Sequence, residues 1–291
     1  MNCQDQIYSE EYIDFIGNRS LIESKYTLDC KQPLGARFAS LYLKLSDGYE
    51  DGTVYGYYNI PKLFGLQDTG SMEASGILQV RENPDLKLDG SGVLIGFVDT
   101  GIDYAGSIFL KQDGTTRVIA IWDQTIPAGS PIRLPVQPEL PETLENITRT
   151  PEGFLYGSEF THEQLNAAVK MEDAYEGISS RDENGHGTFL ASIAAGNELP
   201  DGSFTGAAPK ADIAMVKLKP AKNRLRAYYQ IKEDAVAYQE NDIMAGVLYL
   251  VSLAKKRQQQ LVICLGLGTN AGSSVRPVYF ANGIPVAGNV S

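Results

Sequence analysis

A chain of 291 residues, 43% hydrophobic and 21% charged, suits one large domain, or one with a smaller module attached, around a sizeable core. Its 25 basic and 36 acidic residues leave a net charge of -11, which argues against nucleic acid or an anionic membrane as the main partner, since both repel such a surface. Neither a leader with a basic start and apolar centre nor a run of roughly 20 apolar residues is visible, so the expectation is a soluble, cytoplasmic product.

Cys3, Cys30 and Cys264 are odd in number and widely spaced, without a C-x-x-C pair. That pattern predicts neither a disulfide framework nor a zinc site and makes a reducing compartment the default. Tyr8 to Ile16 reads as a short acidic helix, and Phe38 to Leu45 alternates as a half-buried strand would. From Asp47 a run rich in Gly, Tyr and Asp marks turns and a linker, with the best boundary at Gln67 to Ser71. A small α+β module over residues 1–70 is therefore expected to precede the main domain, 71–291.

From Met72 the pattern becomes α/β. After a short helix at Glu73 to Val80, the apolar run Val93, Leu94, Ile95, Phe97, Val98 reads as a strand buried on both faces, and Asp99 stands at its carboxyl end. Ligands bind beyond the carboxyl ends of such strands, so a carboxylate at that place needs explaining. Thr116 to Trp122 is a second strand candidate, followed by a long irregular stretch from Asp123 to Ile178 that reads as an insertion or functional loop.

Counting from His186, the apolar positions Phe189, Leu190, Ile193 and Ala194 predict one face of a helix that Gly196 stops. His186 falls in its first turn, where the helix dipole disfavours a positive imidazole and keeps it neutral, as a general base requires. Ala211 to Leu218 and Gln260 to Leu265 are further strands; between them Ile243, Val247, Leu250, Val251 and Ala254 form a helical stripe ending in Lys255, Lys256 and Arg257. The basic stretch from Lys217 to Arg226 is expected to be a solvated face. Alternating strands and helices predict a mostly parallel sheet flanked by helices.

VDTGID at Asp99, GHGT at His186, APKADIAMVK and LVICLGLGTNAG occur in that order. Together they resemble the subtilisin-like serine peptidases over roughly residues 68 to 289, and the paired D-T-G and G-H-G-T motifs are the specific part of the match. IWDQT, the 87 positions from Asp99 to His186, and LVICLGLGT look most like the germination-type subtilases of spore-forming bacteria, which would imply a spore-associated location.

The resemblance implies a serine-type endopeptidase in which Asp99 orients His186 and His186 activates a serine. It makes Gly266, Leu267 and Gly268 the strand that binds substrate backbone, and it matches Asn289 to the oxyanion asparagine, a donor worth about 3 kcal/mol in the transition state. It also implies that the N-terminal module is an inhibitory prosegment whose tail lies in the groove; the partners expected are thus a peptide substrate and the chain's own prosegment. No G-T-S-x-[AM] nucleophile motif occurs, so the chain is expected to be the front of a peptidase and inactive alone.

Two other readings come from different classes: a noncatalytic relative that binds or scaffolds other peptidases, and an aspartic peptidase using the D-T-G aspartate. His162 starts an H-E-x-x pattern, but Asn166 occupies the second ligand position, so no zinc site is expected. Carboxylates such as Asp182 with Glu183 suit calcium chemically, but no loop has the ligand spacing for it.

Overall fold

The computed structural model describes residues 2–20, 30–44, 59–66, 88–134, 147–202 and 204–269. In chain order the helices are α1 (Cys3–Tyr8), α2 (His162–Ala168), α3 (Ala174–Gly177), α4 (His186–Ala195), α5 (Asn223–Tyr228) and α6 (Glu240–Arg257). The strands are β1 (Tyr12–Asn18), β2 (Lys31–Leu34), β3 (Phe38–Lys44), β4 (Leu63–Leu66), β5 (Val93–Asp99), β6 (Val118–Asp123), β7 (Ser158–Thr161), β8 (Asp212–Lys217), β9 (Tyr238–Gln239), β10 (Gln260–Cys264) and β11 (Leu267–Gly268). The helix read at 73–80 lies outside the described residues.

The central sheet runs β10-β5-β8-β6-β7, parallel throughout except for β7, which pairs antiparallel with β6. Because successive side chains of a strand point to opposite faces, β5 divides its apolar run between two cores. Leu94 and Val98 pack toward α6 with Ile243, Val247 and Leu250. Ile95 and Phe97 join the opposite core with Leu190, Ala191 and Leu165. Continuous hydrophobicity in the sequence thus reflects helices on both faces.

The stretch from Asp123 to Ile178 is less irregular than its prolines suggest. It contributes β7 as the antiparallel sheet edge, and α2, whose Thr161 and Gln164 form a reciprocal capping box. His162 and Asn166 on α2 grip the backbone of Thr116 at 2.9 and 2.8 Å, so this histidine is a clasp between elements.

The N-terminal part departs most from expectation. Tyr8 to Ile16 is not one helix: α1 is capped by Asn2 and Asp5 and stops at Ser9, and the chain then extends into β1, which pairs with β3 along its whole length. β3 is buried on both faces instead of one, Tyr42 packing toward α6 while Leu41 and Leu43 join Ile60, Leu63 and Leu225. Cys3 and Cys30 are joined in a disulfide, leaving Cys264 free, which removes the cysteine argument for a reducing compartment.

The basic stretch is another correction. Lys217, Lys219 and Lys222 are buried and face carboxylates, Lys217 Glu183, Lys219 Asp242 and Lys222 Asp14. Sequence pattern favours solvent for such residues because the partners that make burial tolerable come from distant segments.

Candidate active site

Asp99 ends β5 beside its parallel neighbour β8, with only 1% of its surface exposed. Its Oδ1 accepts the Thr100 amide at 2.8 Å and His186 Nδ1 at 2.8 Å. Burial pushes the Asp99 carboxyl above its usual range, against the lowering effect of the hydrogen bonds from His186 and Thr100. With Nδ1–H donated to the carboxylate, Nε2 is left as the acceptor of the ring, the tautomer a general base needs.

His186 arrives from the other side of the sequence through α4. Gly185 precedes the helix in a left-handed conformation, φ 87°, and the Gly187 amide donates to Thr100 Oγ1 at 2.8 Å. Gly187 has no room for a side chain: a Cβ there would overlap the Gly101 carbonyl oxygen and come within 3.2 Å of Asp99 Cβ. This contact turns the helix, so that Gly187, Leu190, Ala191 and Ala195 are buried and Phe189, read as part of the buried face, is 51% exposed.

Gly266 lies against the pair. A Cβ on it would collide with Leu190 and lie 3.0 Å from His186 Cε1 and 3.3 Å from Asp99 Oδ2. Leu267 and Gly268 follow as β11 and pair antiparallel with Leu66 and Gly65 of β4. On its other edge β4 pairs with β9, Leu63 with Gln239 and Phe64 with Tyr238. A strand from the N-terminal part thus lies between two strands of the body and leads away next to the Asp99–His186 pair. Asn289 lies outside the described residues.

Two other ionisable groups were not assigned to the site from sequence. Lys217, paired in register with Asp99, donates to Glu183 Oε2 and to the Arg181 carbonyl, both at 2.6 Å. Asp182 accepts from Thr100 Oγ1 and Thr188 Oγ1 at 2.7 Å each. An aspartate four residues before the helix start is the available sequence signal, since such side chains satisfy the unpaired amides of a first turn. These partners take up the two carboxylates that had been considered for calcium. Among the described residues no group of three or more His, Cys, Asp or Glu is placed to hold a metal ion.

The family model for peptidase S8, the subtilase family, matches residues 90–282. The chain belongs to the subtilase family. Among curated subtilases, it is 31% identical over 144 residues to subtilisin-like protease SBT3.8 of Arabidopsis thaliana, covering 44% of this chain and 16% of that protein. Subtilisin-like protease SBT2.2 of the same plant is 31% identical over 136 residues, 44% of this chain and 15% of the relative. Each match therefore spans a small part of a much longer subtilase. The solved CspB protease of Clostridium perfringens is similar with 30% identity and a TM-score of 0.49, over 69% of this chain and 34% of that one.

Proposed function

We propose that this chain carries the acid–base half of a serine endopeptidase, with Asp99 orienting His186 and His186 serving as the proton carrier for a serine nucleophile. The observation that carries the reading is the 2.8 Å bond between His186 Nδ1 and Asp99 Oδ1 at the carboxyl end of a central parallel strand. In peptide hydrolysis His186 Nε2 would take the serine proton during attack and return it to the leaving amine, while Asp99 stabilises the imidazolium. An aspartic mechanism needs two carboxylates sharing a proton, and Asp99 is bonded instead to an imidazole and a backbone amide.

Gly266, Leu267 and Gly268 would bind substrate backbone, because β11 already accepts an extended antiparallel strand and leads directly from the dyad. In this reading residues 1–70 are the prosegment and β4 is its tail, occupying the groove as a substrate would. Asn289 remains the proposed oxyanion donor by its match to the family motif. A spore-associated setting, by the resemblance, and the absence of a nucleic-acid or anionic-membrane partner, by the net charge of -11, remain part of the proposal.

The 291-residue chain is expected to be inactive by itself. Ser192 Oγ is bonded to the Thr188 carbonyl at 2.8 Å and stands six residues beyond His186, so it is a poor nucleophile for that imidazole. Removing the nucleophile from such a triad costs on the order of 10⁶ in turnover. The test is to join the chain to a subtilase C-terminal segment carrying G-T-S-x-[AM]. Peptide hydrolysis and self-cleavage between Leu66 and Met72 are expected, both lost in Asp99→Asn and His186→Ala. Stoichiometric labelling of the unextended chain by a serine-directed probe, or extended-chain activity that survives His186→Ala, would overturn it.

A further inference from the structure

Asp182 has no role in the triad as read from the sequence, yet its carboxylate touches both elements that build the dyad. On one side Oδ1 accepts Thr100 Oγ1–H at 2.7 Å, and Thr100 is the residue whose amide holds Asp99 Oδ1 at 2.8 Å. On the other side Oδ1 accepts the Gly185 and Asn184 amides at 2.9 and 3.3 Å, and Oδ2 accepts the Thr188 amide and hydroxyl at 2.8 and 2.7 Å. His186 lies between Gly185 and Thr188, so the carboxylate grips the backbone on both sides of it. The Gly187 amide closes the circuit by donating to Thr100 Oγ1 at 2.8 Å.

We infer that Asp182 is a positioning residue for the Asp99–His186 pair, tying the strand end that carries the carboxylate to the helix start that carries the imidazole. The inference rests on reading that pair as the working dyad. Its physical content is that Asp99 and His186 are 87 positions apart in sequence, and this one side chain bonds at once the residue that follows β5 and the backbone at the start of α4. An error of about 1 Å in such a pair can cost about a hundredfold in rate, so the tie matters to more than folding.

The charge acts in the same direction as the geometry. Ionisable groups around the dyad are Asp99 on β5, Asp182 and Glu183 on the loop before α4, Lys217 on β8, Tyr238 on β9 and Cys264 on β10. Glu183 and Lys217 pair with each other at 2.6 Å. Burial raises both the Tyr238 hydroxyl and the Cys264 thiol, leaving them neutral near pH 7. Asp182 is bonded only to neutral donors in these contacts, and its carboxylate lies at the N-terminal end of α4, where the helix dipole favours a negative charge.

The chain has two histidines, so selective ¹⁵N labelling gives His186 with His162 as an internal control, and no peptidase activity is needed. In the unaltered chain a far-downfield Nδ1 proton on His186 is expected. In Asp182→Asn that signal is expected to broaden or vanish, while the His162 ring resonances stay in place. A variant that melts earlier but leaves the His186 downfield proton as it was would reduce Asp182 to a helix cap and overturn the inference. If Asp182→Asn does not fold, Thr100→Val keeps the charge and cuts the tie, and Thr100→Ser restores the hydroxyl. Loss of the downfield proton in Val with recovery in Ser supports the inference; no change in either overturns it. An unaltered chain without the downfield proton would instead sink the dyad reading itself.

Discussion

At Gly187 the start of α4 and the end of β5 approach so closely that one methyl group decides whether the dyad forms. Gly187→Ala would place Cβ on the Gly101 carbonyl, a backbone atom that cannot swing aside. Overpacking of this kind costs about 1 to 3 kcal/mol. We expect a lower melting temperature together with loss of the His186–Asp99 bond, read from the downfield Nδ1 proton; a variant with that proton intact would show that the loop beyond β5 yields easily. A second residue-scale prediction concerns acid. Burial alone would raise the Asp182 carboxyl, but hydrogen bonds from Thr188, Thr100 and the Gly185 amide outweigh it and hold the group below the usual range. A carboxyl depressed in the folded state adds stability above its unfolded value, about 3.9, and loses it as pH falls through the folded value. The stability gap between the unaltered chain and Asp182→Asn, from urea unfolding, should therefore narrow between about pH 5 and pH 3. A gap constant across that window would mean that the carboxyl titrates alike folded and unfolded. Asp99 and His186 were legible in the sequence because each sits at an element boundary that its own neighbours announce. Asp182 was not, since its meaning depends on Thr100 arriving from 82 positions away.

Among the elements, legibility followed how far each is specified by its own residues. β5, β8, β10 and α6 carry apolar runs or stripes that suffice to fix them; β5, β8 and α6 supply the core, and β10 joins beside β5 with its residues only partly covered. Those near the N-terminus are fixed by their partners: Tyr8 to Ile16 reads as a helix, but seven register pairs with β3 hold Tyr12 to Asn18 extended. The rotation of α4 that exposes Phe189 has a similar source, in the packing of Gly187 on another element. The disulfide was missed because Cys3 and Cys30 meet only after α1 docks beside the sheet that β2 joins. Closing a loop with a sequence separation of 27 is worth about 3.5 kcal/mol in the chain-entropy description. Thermal unfolding with and without a thiol reductant should differ accordingly, with Cys3→Ser reproducing the reduced curve and showing no further response. Equal curves for the unaltered chain would mean that the two sulfurs are not joined in solution.

At the scale of the whole molecule, what separates this structure from a peptidase body with a loosely appended module is a buried polar seam. Asp14 on β1 is 3% exposed and bonded to Lys222, to Gln239 at 2.9 Å and to Asn241 at 3.2 Å. Lys222, 5% exposed, also donates to the Tyr12 carbonyl at 3.1 Å and lies 5.6 Å from the Tyr42 ring. Nearby, Tyr8 donates to the Gln124 carbonyl at 2.7 Å and accepts the Gly157 amide at 3.2 Å. Apolar contacts tolerate small shifts, whereas these groups must meet their partners or stay buried without them, so the seam fixes how the N-terminal sheet sits against α6. Asp14→Leu alone would strand the Lys222 ammonium in the interior, and breaking a buried pair in this way costs about 3 to 5 kcal/mol. Replacing both members, Asp14→Leu with Lys222→Met, removes the stranded charge and should be much less harmful than the sum of the single changes. Urea unfolding of the four proteins measures this coupling. Additive losses would mean that Lys222 escapes to solvent when Asp14 is gone, and that the N-terminal sheet is held by its apolar faces and by β4 between β9 and β11.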